Sequence, residues 1–349
     1  INANLHTLKG YYFLQDLSIF RRTAEIVRTH HDRWDGKHNH SGLAGDNIPL
    51  ASRIIHLADR VDVLLQILPK KESPLALRDE VSAHIQRFSG DFFDPELAAV
   101  FKEVIESDNI LLDLDSPWVA EKIMDLLPNS RRNLNAAELL DLAEVFARVV
   151  DTKSSYTYLH SHGVAQTART LAELIGCQPN QVFLIYIAGL LHDLGKLTIP
   201  ETILDKPGAL TKDEMYLMKQ HAYYSYWWLK MTFGKTPIAE WAAFHHERLD
   251  GKGYPFRKKG EKLDFGARIV AVSDVFTALR EDRPYRASLS WDTIERIMRQ
   301  LVKDSALDGD IVDVLLNNKD LLENRWQELV NQAKEKDKVD GGFSDEGSC

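Results

Sequence analysis

The sequence contains only two cysteines among its 349 residues, Cys177 and Cys349, and they lie far apart. Two distant cysteines exclude a disulfide framework and predict a reducing compartment, the cytoplasm. Apolar runs are short as well. None approaches the roughly 20 residues of a membrane-spanning helix, and the start of the chain has no signal-peptide pattern. The chain begins at Ile1 rather than methionine, which predicts that it is a piece of a longer protein.

The chain also lacks an excess of basic residues. It has 43 Lys and Arg against 52 Asp and Glu, a net charge of −9. Proteins that bind polymeric nucleic acid without sequence preference are normally basic, so this composition argues against that class. An anionic small molecule remains compatible with the charge, because bound metal ions can invert the local field.

A strand pattern is missing too, since no segment alternates apolar and polar residues over a useful length. Helical patterns with caps are present instead. Asp94 followed by Pro95 begins a helix that runs to about Ser107. Asn135 with Glu138 begins a long helix. We therefore predict an all-α protein, with further helices from about Tyr156 to Ile175, after a capping box at Thr211 and Glu214, and over residues 264–281.

The most informative stretch begins with two adjacent histidines, His245 and His246, after the apolar segment 238–244. Adjacent histidines rarely serve a core, because each buried ring nitrogen needs a hydrogen-bond partner. The segment predicts that the pair lies at the end of a buried helix, which a glycine-rich turn terminates. Alone, this pair is a weak indication of a metal site.

An internal repeat strengthens the indication. Residues 6–64 match residues 221–279 without a gap, at an offset of 215 positions. The offset places His6 on His221, the pair His30-His31 on His245-His246, and Asp59 on Asp274. Arg33, Asp35, Gly36 and Lys37 fall in the same way on Arg248, Asp250, Gly251 and Lys252. Chance does not supply four potential ligands in one register, so we interpret the match as a tandem duplication.

The first copy has lost part of the pattern. His38-Asn39-His40 stand where the second copy has Gly253-Tyr254-Pro255, and Leu68 stands where it has Arg283. We therefore interpret His30 and His31 as relics of a decayed site. Residual metal binding stays open, because the counterparts of His192 and Asp193 would precede residue 1.

The second copy has all seven candidate metal ligands. Asp274 lies in an otherwise apolar helix, where an unpaired carboxylate is costly. Arg268 could be its partner, but a metal explains Asp274 together with the histidines of other apolar helices. Five imidazoles and two carboxylates are more ligands than one tetrahedral zinc ion takes, and they suit two adjacent ions. The candidates are His160, His192, Asp193, His221, His245, His246 and Asp274.

These motifs carry a family resemblance. His192-Asp193 with Gly195-Lys196, and His245-His246-Glu247 through Gly253-Tyr254-Pro255, resemble the HD-GYP family of cyclic dinucleotide phosphodiesterases. Residues 204–211 and 282–286 support the match, which covers residues 151 to about 320. Residues 1–107 look like the back half of a second, degenerate copy. The tandem arrangement is similar to that of family members that degrade 3′,3′-cGAMP.

The resemblance implies two divalent metal ions, for which iron, manganese, nickel and zinc are all suitable. Some relatives hold a third ion through a Glu four residues before the first histidine, a position that is Tyr156 here. The segment after Pro255 also departs from the family's usual Gly-Leu. The implied ligands are His160, His192, Asp193 and Asp274 for one ion, and Asp193, His221, His245 and His246 for the other.

Two-metal chemistry predicts in-line attack of an activated water on phosphorus, with departure of the 3′ oxygen. Asp193 and Lys196 are the predicted catalytic residues, and Lys196 stabilises charge on the phosphoryl oxygens. Arg283 and Arg286 would clamp phosphate oxygens or remain solvated. Tyr285 would stack on a base or simply pack.

The sequence thus predicts two tandem HD-domain helical bundles, the first incomplete and degenerate, in contact with each other. The predicted parts are a degenerate domain over 1–107, a connection over 108–133, a catalytic domain over 134–333 and a disordered tail over 334–349. The predicted function is hydrolysis of 3′,3′-cGAMP, c-di-GMP or both to a linear dinucleotide, in bacterial second-messenger signalling. The alternatives are a sensor that binds a cyclic dinucleotide without hydrolysing it and an HD-type nucleotidase acting on mononucleotides.

Overall fold

The computed structural model describes residues 3–69, 71, 73–114, 116–127, 133–153, 159–281 and 287–341. Within these ranges all regular elements are helices, and the β-type pairing consists of an isolated bridge between Ser89 and Phe93. The predicted all-α class is confirmed. None of the helices in these ranges is long and apolar enough to cross a membrane.

The chain divides into two compact units, residues 1–138 and 139–349. The core of the first unit contains the fully buried side chains of Val81, Ile85 and Ile105. Asp94 caps a helix there as predicted, because its carboxylate accepts a hydrogen bond from the amide of Glu96 at 2.9 Å. The helices of this unit are α1 Ala3–Leu14, α2 Arg21–Thr29, α3 Leu50–Ile67, α4 Arg78–Arg87, α5 Pro95–Val104, α6 Asp108–Leu114 and α7 Val119–Leu126.

Residues 108–133 were predicted to connect two domains around one short helix. The structure forms two helices there, α6 and α7, and Leu111 of α6 is buried in the core of the first unit. The two units divide between Glu138 and Leu139, rather than within 108–133. The physical reason is that the apolar residues of α6 extend the first core.

The second unit is built around α9 and α10, which pack closely against each other. At Gly189 of α10 a Cβ atom would lie only 2.6 Å from Cα of Ala165 on α9, so glycine is what permits this approach. The unit comprises most of α8 Ala136–Lys153, with α9 Leu159–Ile175, α10 Pro179–Leu191, α11 Glu201–Leu204, α12 Lys212–Phe233, α13 Ile238–Ala243, α14 Phe265–Arg280, α15 Trp291–Lys303, α16 Gly309–Asn317 and α17 Lys319–Gly341.

Both predicted capping boxes are present. At α12, the hydroxyl of Thr211 accepts a hydrogen bond from the amide of Glu214 at 3.3 Å, and the Glu214 carboxylate accepts one from the amide of Thr211 at 2.7 Å. At α8, Asn135 and Glu138 make the same reciprocal pair at 3.0 and 3.1 Å. Local sequence signals therefore locate these two helix starts correctly.

The helix α17 continues to Gly341, beyond Lys334, where the sequence predicted that a disordered tail begins. The sequence from Ala333 to Asp340 has no glycine or proline and is rich in good helix formers, so the helix has no local reason to end at Lys334. Residues 342–349 lie outside the described part of the chain.

The turn that follows the histidine pair has the same geometry in each unit. Arg33 donates two hydrogen bonds to Asp35 at 3.0 and 2.7 Å, and Arg248 donates two to Asp250 at 3.1 and 2.9 Å. The glycines that follow, Gly36 and Gly251, both have φ of 77°. This conformation is in the left-handed region, which favours glycine. The two turns lie 215 positions apart, the same offset as the repeat in the sequence.

Candidate metal centre

The structure brings all seven candidate ligands of the second unit together. His160 lies on α9, His192 and Asp193 directly follow α10, and His221 lies on α12. His245 and His246 follow α13, as the apolar segment before them predicted, and Asp274 lies on α14. Three overlapping groups each have donor atoms within 4.8 Å of one another. They are His160, His192 and Asp274; His192, Asp193 and His245; and His221, His245 and His246.

Backbone carbonyls set the direction of three of the imidazoles. In each case Nδ1 lies within hydrogen-bond distance of the carbonyl oxygen three residues earlier. A carbonyl oxygen can only accept, so Nδ1 must carry a proton, and in the neutral ring Nε2 then holds the lone pair. The pairs are His192 with Gly189 at 2.8 Å, His221 with Met218 at 2.6 Å and His245 with Ala242 at 2.7 Å.

The carboxylate of Asp193 lies between two sets of histidines. Its Oδ2 is 3.1 Å from Nε2 of His192 and 3.6 Å from Nε2 of His160. Its Oδ1 is 3.4 Å from Nε2 of His221 and 3.9 Å from Nε2 of His245. Each oxygen of one buried carboxylate therefore faces its own pair of ring nitrogens.

Asp274 belongs to the same cluster and is not paired with Arg268. Its Oδ1 lies 3.6 Å from Nε2 of His160 and 3.9 Å from Nε2 of His192. Arg268 instead donates to Asp308 at 3.2 Å and to two backbone carbonyls. The alternative account of Asp274, in which Arg268 neutralises it, is therefore wrong.

The donor set fits divalent metal ions. Nε2 of His192 is buried and makes no hydrogen bond, although Asp193 Oδ2 lies 3.1 Å from it. A buried nitrogen lone pair without a donor is costly, and a cation would satisfy it. Imidazole nitrogens mixed with carboxylate oxygens suit first-row transition metals. These residues can therefore hold metal.

Protonation states in the cluster follow from burial and from neighbouring charges. Burial, together with His192, lowers the pKa of His245 to about 3, so this ring is neutral at pH 7. Burial opposes ionisation of Asp193, but His192 and Lys196 hold its pKa well below the usual range. Burial also disfavours the imidazolium of His160, but hydrogen bonds to Asp193 and Glu281 raise its pKa to about 10.

Lys196 contacts the centre directly. Its Nζ donates to Asp193 Oδ2 at 2.5 Å. Burial works against the ammonium, but Asp193 outweighs it and raises the pKa of Lys196. Lys196 therefore adds a fixed positive charge at the edge of this cluster of carboxylates and histidines.

Gly195 lets the segment after Asp193 approach α12. A Cβ atom at this position would lie 1.9 Å from the carbonyl oxygen of His221. The amide of Gly195 donates to Ser225 Oγ at 2.8 Å, and this hydroxyl donates to the carbonyl of His192 at 3.0 Å. Ser225 was not predicted from the sequence. It ties His192 and Asp193 to the helix that carries His221.

The Gly253-Tyr254-Pro255 segment supports His246. The amide of Tyr254 donates to the carbonyl of His246 at 3.2 Å, and the two rings lie 4.7 Å apart. The peptide bond between Tyr254 and Pro255 is cis. Buried Glu247 accepts a hydrogen bond from the amide of Phe256 at 2.7 Å. The motif thus shapes the loop that lies behind one of the candidate ligands.

Two further acidic residues near the centre were not predicted. Glu281 is 2% exposed, and its Oε2 lies 3.3 Å from Nδ1 of His160. Asp151 is buried and accepts a hydrogen bond from Ser161 Oγ at 2.7 Å. Glu281 had one readable signal: it follows Asp274 by seven residues, two helical turns along the same face.

The remaining predicted site residues, Arg283, Tyr285 and Arg286, lie outside the described part of the chain, as does Tyr156, which stands where some relatives have a third-metal ligand. Their assigned roles stay predictions.

The sequence matches the HD domain family over residues 2–97 and 133–311, parts of both compact units. The 3′3′-cGAMP-specific phosphodiesterase 1 of Vibrio cholerae is 35% identical over 323 residues, which cover 91% of this chain and 74% of that protein. The 3′3′-cGAMP-specific phosphodiesterase 3 of the same organism is 32% identical, covering 93% and 69%.

A shorter match and a solved structure agree with this picture. The cyclic di-GMP phosphodiesterase response regulator RpfG of Xanthomonas campestris is 37% identical over 179 residues, 51% of this chain and 47% of that protein. A crystal structure of a cyclic GMP-AMP specific phosphodiesterase of V. cholerae has a TM-score of 0.59 and 28% identity, covering 90% of this chain and 71% of that one. The resemblance inferred from the motifs is confirmed.

Proposed function

The chain belongs to the HD domain family, and from this premise we propose that it is a metal-dependent phosphodiesterase that hydrolyses a 3′,5′-phosphodiester bond of a cyclic dinucleotide. The substrate is 3′,3′-cGAMP, c-di-GMP or both. Two relatives named for 3′3′-cGAMP span 91% and 93% of the chain, whereas the one from X. campestris named for cyclic di-GMP spans 51%. This difference makes 3′,3′-cGAMP the first substrate to test.

The observation that carries the proposal is the position of Asp193. A single buried carboxylate whose two oxygens face separate pairs of histidines has the arrangement expected of a ligand shared by two ions. We assign His160, His192 and Asp274 to one ion, and His221, His245 and His246 to the other, with Asp193 common to both. Iron, manganese, nickel and zinc all suit these donors.

Bound divalent ions supply Lewis-acid charge on phosphoryl oxygens and acidify a coordinated water. The chain supplies the rest. Backbone carbonyls hold the rings of His192, His221 and His245 in place around Asp193, which preorganises the centre. Lys196 stays protonated and stabilises the negative charge that develops on the phosphate as the 3′ oxygen leaves. The product is the linear dinucleotide.

The two units are, in our proposal, tandem copies of one domain, with catalysis in the second and a structural or regulatory role for the first. The family match over both ranges supports this. So does the shared turn, with its Arg–Asp pair and its glycine at φ of 77°.

The deciding experiment measures metal content and hydrolysis together on the chelator-stripped chain, reloaded with Fe²⁺, Mn²⁺, Ni²⁺ or Zn²⁺. 3′,3′-cGAMP and c-di-GMP serve as parallel substrates. Asp193→Ala should lower turnover by more than about 100-fold, since loss of even an outer partner of a metal ligand costs about 10- to 100-fold. Asp213→Ala, an exposed aspartate on α12, should leave turnover unchanged.

Turnover of at least one substrate, together with two ions per chain that are lost in Asp193→Ala, would support the assignment. Tight binding of cyclic dinucleotide without hydrolysis under every metal would instead identify a sensor. Hydrolysis of mononucleotides alone would identify the nucleotidase alternative.

A further inference from the structure

Three histidines of the first unit lie together, and the proposed activity does not use them. His6 lies on α1, and His30 and His31 directly follow α2. Each offers a ring nitrogen within 4.8 Å of those of the other two. The Nε2 atoms of His6 and His30 are 3.3 Å apart.

A local hydrogen bond directs the ring of His30 toward His6. Nδ1 of His30 lies 2.6 Å from the carbonyl oxygen of Val27, so Nδ1 carries the proton and Nε2 presents a lone pair to His6. Nδ1 of His31 is buried without a hydrogen-bond partner, and Asp59 Oδ2 lies 3.9 Å from it.

The cluster repeats the arrangement of one half of the candidate centre. The Nε2 atoms of His221 and His245 are also 3.3 Å apart. The adjacent rings lie 4.1 Å apart in His30–His31 and 4.0 Å apart in His245–His246. The ring centroids of His6 and His31 are 4.9 Å apart, and those of His221 and His246 are 5.1 Å apart.

Apolar packing does not account for this geometry. His6 is exposed and the other two rings are half-buried, so a core does not require three polar rings at this point. Ring nitrogens that face each other at 3.3 Å repel unless a proton or a cation lies between them. Three convergent imidazoles are a common ligand set for zinc and similar ions, with a further position left for water or a carboxylate.

We propose that His6, His30 and His31 bind a divalent transition metal ion of the zinc, cobalt and nickel class, separate from the centre of the second unit. The first copy's departures from the pattern, at residues 38–40 and at Leu68, then leave the cluster of His6, His30 and His31 intact. The bound ion ties α1 to the end of α2.

The test uses the full chain, stripped with a chelator and titrated with Co²⁺ and Zn²⁺. Cobalt ligand-field absorption reports coordination, and elemental analysis after gel filtration reports stoichiometry. His6→Ala should remove one ion per chain, or weaken that site by at least about tenfold, without changing hydrolysis of the cyclic dinucleotide. The double variant His30→Ala/His31→Ala should have the same effect.

Two comparisons isolate the site. His38→Ala/His40→Ala removes two exposed histidines from the neighbouring turn and should keep the ion. In an Asp193→Ala background, adding His6→Ala should still remove one ion, even if the proposed activity proves wrong. Because His6 is exposed, its variant remains informative if the double variant fails to fold. Equal stoichiometry and affinity in the wild-type chain and His6→Ala would overturn the proposal, as would equal loss in the His38/His40 control.

Discussion

Glu281 illustrates how one buried side chain can orient a metal ligand. Three imidazoles of the centre have Nδ1 against a backbone carbonyl, whereas Nδ1 of His160 faces the carboxylate of Glu281 at 3.3 Å. A carboxylate behind a ligating histidine fixes its tautomer and raises its basicity. Both carboxylate oxygens of Glu281 are otherwise without a hydrogen-bond partner. Its contact with His160 therefore gives it a positioning role in the proposed centre.

Replacing Glu281 should weaken metal binding without removing a ligand. We expect Glu281→Ala to lower metal affinity by about 10- to 100-fold, and Glu281→Gln to lower it less because the amide oxygen can still accept from Nδ1. Competition with a coloured chelator measures the affinity. Glu144→Ala is the matched control, since Glu144 pairs with His162 at 2.6 Å and His162 is not a candidate ligand. An affinity loss as large in Glu144→Ala would contradict the assignment.

Asp151 should make stability depend on pH. Burial, opposed by the Ser161 hydroxyl, raises the pKa of Asp151 from 3.8 to about 6. The folded state therefore binds this proton more tightly than the unfolded state does. Protonated Asp151 therefore stabilises the folded state fully below pH 4, and this stabilisation is lost as the pH rises from about 4 to about 6.

Asp151→Asn should remove this penalty while keeping an acceptor for Ser161. We expect the metal-free variant to be more stable than the wild type by up to about 3 kcal/mol at pH 7.5, with a difference that shrinks toward pH 5. Urea unfolding at a series of pH values measures it. Exposed Asp292→Asn serves as the control. A difference that stays constant between pH 5 and 7.5 would contradict the raised pKa.

At the scale of the elements, the centre depends on how closely two segments approach. The 3₁₀ turn Leu194–Thr198 packs against α12 where Gly195 meets the carbonyl of His221. Ser225 bridges the same two segments. His192 and Asp193, which follow α10, and His221 on α12 are thus held by the same contact. A change in the backbone spacing between Gly195 and α12 would move the ligands of both segments.

Gly195→Ala should therefore disturb stability and metal binding together. Its Cβ would lie 1.9 Å from a backbone oxygen, and overpacking of this kind costs about 1 to 3 kcal/mol. Chemical unfolding and metal titration should both show a loss. Gly309→Ala is the control, because its nearest neighbour is a side-chain methyl of Val302 at 3.2 Å. Wild-type metal affinity in Gly195→Ala would show that the close approach does not set the ligand geometry.

At the scale of the whole molecule, each unit has its own core, and the second also encloses buried titratable groups that metal would neutralise. His192, Asp193, His221 and His245 are each at most 3% exposed. Charged or unpaired groups at such depth oppose folding until a ligand satisfies them. Metal bound to the folded state alone therefore contributes directly to stability.

Metal removal should lower the melting temperature reversibly. Free metal at about 100 times its dissociation constant stabilises a fold by about 2.7 kcal/mol. We expect calorimetry to show a lower transition after chelation and recovery after reloading, with most of that shift lost in Asp193→Ala. A transition that does not respond to chelation in the wild-type chain would mean that the cluster binds no metal in the folded protein.

Local signals were readable from the sequence and were confirmed. The capping boxes at Thr211 and Asn135 depend on hydrogen bonds between residues three apart. The apolar run Val182–Leu191 leads directly into His192, and α10 ends at Leu191. Each predicted ligand follows or lies within a helix, and the packing of these helices brings the ligands together.

The sequence by itself determined the helical class, the principal helix starts and the identity of the clustered histidines and aspartates, because these depend on short-range spacing and residue chemistry. Only the tertiary structure decided that Arg268 binds Asp308, that Ser225 bridges Gly195 and His192, and that Glu281 lies behind His160. It also decided that α6 completes the first core. The physical reason is distance along the chain: these partners come from different helices, and packing rather than local periodicity brings them within hydrogen-bond range.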